Sequence, residues 1–194
     1  MDNTEDLIAA LAPVVYAMRR LDIAFYVGGS VASSYHGATR STMDVDIVCN
    51  LDESNIRPLI ELVGSDFYSS ETAINEAMQR KSCLNLIHLP TSFKVDVFVS
   101  RLRPFDIEAM KRAVIGRLGE MNSIEVPIAT VEDSIVSKLE WYRLTDETSD
   151  RQWNDVSRLL DLLGDHSNQA YLTRAAESVG VADLLKRLID AKNS

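Results

Sequence analysis

The segment Asp44-Val45-Asp46-Ile47-Val48-Cys49 alternates in character along its length, so it reads as a β-strand with two unlike faces. Val45, Ile47 and Cys49 form an apolar face that belongs in a core. Asp44 and Asp46 stand together on the other face. Two neighbouring carboxylates repel, and each loses solvation against a sheet, so the pair is costly unless a cation lies between them. Hard divalent ions such as Mg²⁺ favour oxygen donors of this kind. The alternative for an isolated Asp-x-Asp is a solvated acidic edge. Any fold for this chain must therefore supply a sheet with one face buried and the other left open beside the aspartates.

The flanking residues sharpen this. Ile23 to Val27 is a short apolar run that reads as a buried strand and ends at Gly28-Gly29. Glycine permits a sharp turn and close approach of a ligand to the backbone. Ser30 follows as the cap of a short helix from Val31 to about Tyr35, where unpaired N–H groups and the helix dipole favour an anion such as phosphate. A plain turn with a helix cap is the other reading of Gly28, Gly29 and Ser30. Downstream, Val95, Val97 and Val99 share one face of a second strand, while Lys94, Asp96 and Phe98 share the other. This strand is apolar enough to be internal, which shields Asp96. A third carboxylate on a neighbouring strand completes the ligand set of a two-metal site, the arrangement that stabilises both attacking and leaving oxygens in a phosphoryl displacement.

Composition sets the outer bounds. The chain has 194 residues, 46% of them hydrophobic, enough for one sizeable core. Its formal charge is −9, opposite in sign to a general nucleic-acid coat protein, so RNA or DNA contact has to come from a local patch. The two cysteines, Cys49 and Cys83, each lie in an apolar run and read as buried free thiols of a reducing compartment. The acidic start Met1-Asp2-Asn3-Thr4-Glu5-Asp6 is unlike a signal peptide, and no apolar stretch is long enough to span a membrane. The expected location is cytoplasmic.

The expected organisation is an α/β fold of the α+β type, with a small mixed sheet of four or five strands in residues 1–126 and a helical unit in 127–194. Helices are expected over 4–21, 53–64, 71–80 and 105–116, and strands over 43–49, 83–89 and 93–99, the last two forming a hairpin around Pro90-Thr91-Ser92. After Pro127 strand formers become rare. Thr130-Val131-Glu132-Asp133 opens a helix to about residue 144, and residues 150–163, 168–178 and 181–192 also read as helical. A cleft between the two parts is the expected binding site.

Basic residues are sparse near the aspartates. Arg40 lies between the glycine turn and Asp44, where it either clamps phosphate or pairs with Asp44. His36, before Gly37, reads as a helix-end residue. Lys138 falls inside or beside the stripe Val131, Ile135, Leu139 and Tyr142, so its charge either snorkels out or meets an acidic partner or a phosphate. Arg101, Arg103, Lys111, Arg112 and Arg117 form the one locally basic stretch, read as a solvated face or an RNA contact. Trp141, Tyr142 and Trp153 read as packing between helices, with base stacking as the alternative.

The string Gly-Gly-Ser-x-Ala-x-x-x-His-Gly-x-x-Arg-x-Thr-x-Asp-x-Asp over residues 28–46, followed by Asp96, resembles the polymerase-beta-type nucleotidyltransferase superfamily. It is most similar to the minimal prokaryotic branch that includes nucleotidyltransferase toxins of abortive-infection and toxin–antitoxin systems. The gap between Ser30 and Asp44 is slightly long for that family. The resemblance implies that Gly29 and Ser30 hold the triphosphate of an incoming NTP, with Gly28 beside them in the nucleotide site. It implies that Asp44 and Asp46 bind both metals, and that Asp96 ligates the catalytic one and helps deprotonate the acceptor hydroxyl. Lys138 and, on the following helix, Asp155 take nucleotide-binding positions, and Arg40 joins them on its place between the glycine turn and Asp44. The implied cofactor is Mg²⁺, with Mn²⁺ as a substitute. The implied reaction moves an NMP to a hydroxyl of an RNA (tRNA), a protein or a small molecule, and an antitoxin protein is an implied partner. The alternative is a catalytically silent nucleotide-binding or regulatory module with the same fold.

Overall fold

A computed structural model describes residues 3–38, 42–70, 72, 74, 82–120, 122–163 and 168–192. Its elements run α1 (Asn3–Arg20), β1 (Phe25–Val27), α2 (Gly29–Tyr35), β2 (Asp44–Cys49), α3 (Glu53–Val63), β3 (Phe67–Tyr68), β4 (Cys83–His88) and β5 (Phe93–Val99). There follow α4 (Pro104–Arg112), β6 (Val114–Leu118), β7 (Ile124–Ile128), α5 (Val131–Leu144), α6 (Asp150–Leu162), α7 (Gln169–Ser178) and α8 (Ala182–Lys192). The strands form one mixed sheet in the order β3-β4-β5-β2-β1-β7-β6. β2 runs parallel to β5 and antiparallel to β1, and β4 pairs antiparallel with β5.

The period-2 patterns decide the layers. Val45, Ile47 and Cys49 of β2, Val95, Val97 and Val99 of β5, and Leu84 and Leu86 of β4 are all buried on one face. The stripe Leu11, Val14, Val15 and Met18 of α1 covers that face, with Leu59 and Val63 of α3 beside it. The opposite face carries Asp44, Asp46, Asp96 and Phe98, and there α2 packs against β2 and α5 packs against α2, leaving a cavity over the rest.

Three local expectations need correction. The helix expected over 105–116 ends at Arg112, and Val114–Leu118 continues as strand, paired with β7 through Val114↔Ile128 and Leu118↔Ile124. β-branched Val114 and Ile115 favour that extended form. β7 then joins the sheet parallel to β1, so the sheet has seven strands instead of four or five. The cap of α2 is Gly28, without a side-chain bond, and Ser30 lies inside the first turn, buried. Arg40 and most of the helix expected at 71–80 lie outside the described residues.

The helical end is fastened by a buried polar knot. Thr130 caps α5 by accepting from Asp133 N at 3.2 Å, and Asp133, 1% exposed, accepts from Thr130 Oγ1 at 2.7 Å and from Tyr171 Oη on α7. Arg112 from α4 lies 3.8 Å from the centre of the Tyr171 ring and 3.5 Å from Asp133. Removing one donor leaves a desolvated carboxylate under-satisfied, so Tyr171→Phe is expected to lower unfolding stability by about 1–3 kcal/mol in urea denaturation.

Candidate active site

Parallel pairing of β2 with β5 sets Asp46 directly opposite Asp96, and Asp44 opposite Lys94. Residues in register across a sheet point to the same face, so the three carboxylates share one side of two adjacent strands. The turn after β1 closes on them. Gly28 N donates to Asp46 O at 2.8 Å. Gly29 has φ +57°, and a Cβ built on it would overlap the Asp46 carboxylate, standing 2.9 Å from Asp46 Cβ. A side chain is thus excluded at position 29 by backbone conformation and by the aspartate itself.

Each carboxylate has a different environment. Thr42 Oγ1 donates to Asp44 Oδ1. Lys94 Nζ lies 2.7 Å from Asp96 Oδ2, and Asn85 Nδ2 donates to Asp96 Oδ1. Burial, then Asp44 and Asp96, push the Asp46 carboxyl up to about 6, while Lys138 and Lys94 pull the other way. An acid held that high by burial beside two other carboxylates marks a place where positive charge is wanted. The donor set, carboxylate oxygens facing an open cavity, fits a hard divalent ion at Asp44 and Asp46. Among the described residues no three His, Cys, Asp or Glu side chains already stand as a ligand cluster. Thr42 holds Asp44, and Lys94 with Asn85 holds Asp96.

A cavity of about 560 Å³ opens over this face. Gly28, Gly29, Ser30, Asp44 and Asp46 line one part, and Phe98, Arg101, Trp141 and Arg151 line another. Asp96 and Asp155 are not among the lining residues. Lys138 lines the cavity but is buried and lies 3.0 Å from Asp155 Oδ2 on α6. The sequence-predicted lysine and aspartate are therefore brought together as a buried ion pair across α5 and α6. Breaking such a pair leaves an uncompensated charge, so Asp155→Ala is expected to cost about 3 kcal/mol. The double variant Lys138→Met/Asp155→Leu should cost less than its two single changes summed, which a thermodynamic cycle from urea denaturation measures.

The remaining candidates are dispersed. His36 Nε2 lies 2.7 Å from Ala129 O, tying the end of α2 to the start of α5. Arg103 is held by Asp106 and Glu140, Arg112 by Glu132 and Asp133, and Arg117 Nε donates to Ser123 at 2.6 Å, so the basic stretch is divided among separate partners. Arg101 and Arg151 are exposed on the cavity wall with no hydrogen-bond or ion-pair partner among the described residues. Trp141, 47% exposed, meets Phe98 edge-on at 5.8 Å in the same wall, whereas Tyr142 and Trp153 pack together at 5.2 Å. Cys49 is buried and Cys83 half-buried; burial pushes both thiols up to about 12, so neither is a nucleophile at neutral pH. Sequence reasoning put Lys94 on the face of Asp96 and Thr42 in the motif before Asp44 without giving either a role, and did not find Asn85. The same alternation that places Asp96 also places Lys94 and, across the hairpin, Asn85.

No family model and no curated protein sequence matches the chain. Solved structures do. The chain is similar to a nucleotidyltransferase-like antigenic protein from Paracoccidioides brasiliensis, with a TM-score of 0.54 at 17% identity over 95% of this chain and 90% of that one. It is also similar to the antibiotic-resistance factor ANT(2″)-Ia. A complex of that protein with adenylyl-2″-tobramycin gives a TM-score of 0.54 at 11% identity over 89% and 96% of the two chains. Its solution structure gives 0.51 at 14% over 99% and 96%. The chain therefore has the nucleotidyltransferase-like fold. At these identities the likeness is one of fold.

Proposed function

We propose that this protein is a divalent-metal-dependent nucleotidyltransferase, moving an NMP from an NTP to an acceptor hydroxyl and releasing pyrophosphate. The observation that supports it most is the register Asp46↔Asp96 beside the Gly29 turn, which gathers three carboxylates on the open face of the sheet. In the reaction the acceptor oxygen bonds to the α-phosphorus, the α–β anhydride bond breaks, and the hydroxyl proton leaves towards Asp96. The turn from Gly28 to Ser30 brings backbone and a helix start to the triphosphate, with Gly28 N already committed to Asp46 O. Asp44 and Asp46 would hold Mg²⁺ or Mn²⁺. When bound, that ion supplies charge against the departing pyrophosphate. Lys138, already committed to Asp155, adds positive potential at the cavity floor.

Among the acceptors, RNA is favoured over a protein or a small molecule. Arg101 and Arg151 offer positive charge that is unpaired among the described residues, and Trp141 with Phe98 offers a stacking surface in the same cavity. A tRNA acceptor, and a toxin role with an antitoxin partner, follow from the sequence resemblance alone. The test incubates the folded protein with each α-labelled NTP, Mg²⁺ and total RNA. Label in RNA from the parent and none from Asp44→Asn supports the assignment. Absence of transfer for all four NTPs, with NTP binding intact, favours the catalytically silent module, a reading suggested by the hold of Lys94 and Asn85 on Asp96.

A further inference from the structure

Resting on the transferase reading, we propose that Lys94 supplies the second positive charge of this site. Asp44 and Asp46 take a single divalent cation, and the Lys94 ammonium takes the place of a second metal at Asp96. Three placements converge on this. Lys94 is the register partner of Asp44, so its side chain emerges on the face that carries all three carboxylates. Its Nζ stands 2.7 Å from Asp96 Oδ2 while Asn85 takes Oδ1, so Asp96 already has both a counter-charge and a donor. Asp44 and Asp46 line the cavity and Asp96 does not, so among the described residues the two aspartates open to a diffusing ion are those with no lysine in ion-pair contact.

The energetics favour one ion over two. Asp96 is 7% exposed, and an unpaired carboxylate at that depth is costly. Lys94 remains partly exposed and satisfies Asp96 without full desolvation of its own charge. A second divalent ion bridging Asp46 and Asp96 would stand against that ammonium, and like charges a few ångströms apart repel strongly where water is scarce. Lys94 is thus a positioning residue that fixes metal stoichiometry and the state of Asp96.

The test is a Mn²⁺ titration of the full chain by calorimetry and by the loss of free-ion EPR signal, with a non-hydrolysable NTP analogue present and the analogue's own Mn²⁺ binding subtracted from a protein-free titration. The unmodified protein is expected to bind one Mn²⁺. Asp46→Asn should weaken that binding at least tenfold, Asp96→Asn should change it less than twofold, and Lys94→Ala should admit a second ion that Lys94→Arg excludes. Two ions in the unmodified protein, or a tenfold loss in Asp96→Asn, overturns the role of Lys94 and leaves the transferase reading standing. No bound ion in a protein shown to be folded overturns both.

Discussion

Asp46→Asn is expected to abolish nucleotide transfer and, in the metal-free protein, to raise stability. Its carboxyl titrates in the folded chain at about 6 against an ordinary 3.8, because it is buried beside Asp44 and Asp96. The folded state thus binds this proton more tightly than the unfolded state. Stability is lost as pH rises from 3.8 towards about 6, and above that the charged carboxylate carries its full cost. Two pKa units correspond to about 3 kcal/mol, and the residual exposure of Asp46 lowers this to about 2 kcal/mol. Asparagine removes that cost, so the melting midpoint at pH 8 should rise by roughly 4–8 °C. Below pH 4 the parent is protonated too, and the two proteins should melt alike. Transfer should fall by roughly a thousandfold, equivalent to about 4 kcal/mol of lost transition-state stabilisation. Calorimetry across pH 3.5–8, paired with a pyrophosphate-release assay, reads both effects. Gain of stability with loss of activity is the expected signature of a functional carboxylate; a structural aspartate would lose stability.

Gly29→Ala should be the most damaging single methyl group in the protein. At φ +57° the backbone is left-handed, which alone costs an alanine about 1 kcal/mol. The larger effect is the overlap of the new Cβ with the Asp46 carboxylate, which must swing away from Asp44 and Asp96. Displacement of a reacting group by about 1 Å can cost a hundredfold in rate, so transfer is expected to fall by roughly that factor or more. Gly64→Ala is the matched control. Gly64 closes α3 with φ +79°, and a Cβ there meets nothing within 4 Å. It should lower the melting midpoint through backbone strain and leave transfer unchanged. Equal activity losses in the two variants would mean that general destabilisation, and not the displaced aspartate, is responsible.

The faces of the central strands were legible in the sequence because alternation is a property of single residues. Val45, Ile47 and Cys49 against Asp44 and Asp46 can be assigned without knowing which strand lies alongside. Register is different. The pairing of Asp46 with Asp96 spans 50 residues and depends on how β4 and β5 fold back onto β2, which no local pattern records. β6 and β7 were hidden for a related reason. Val114 to Leu118 follows directly on the amphipathic run of α4, and Pro127 reads as a breaker although it sits in a strand opposite Ile115. Lys138 was found because a charge inside an apolar stripe is anomalous in sequence; that its partner is Asp155 follows from the packing of α5 on α6. The opening residues of α5 showed a cap at Thr130 but not the burial of Asp133, since its cover, Tyr171, arrives from 38 residues away.

The convergence of Asp44, Asp46 and Asp96 beside Gly29 is tested most directly by anomalous scattering from crystals grown with Mn²⁺ and a non-hydrolysable NTP. The expected map has a manganese peak beside Asp44 and Asp46, with the triphosphate at the turn from Gly28 to Ser30. A triphosphate bound away from these aspartates, or manganese at any other place in the chain with none here, contradicts the account.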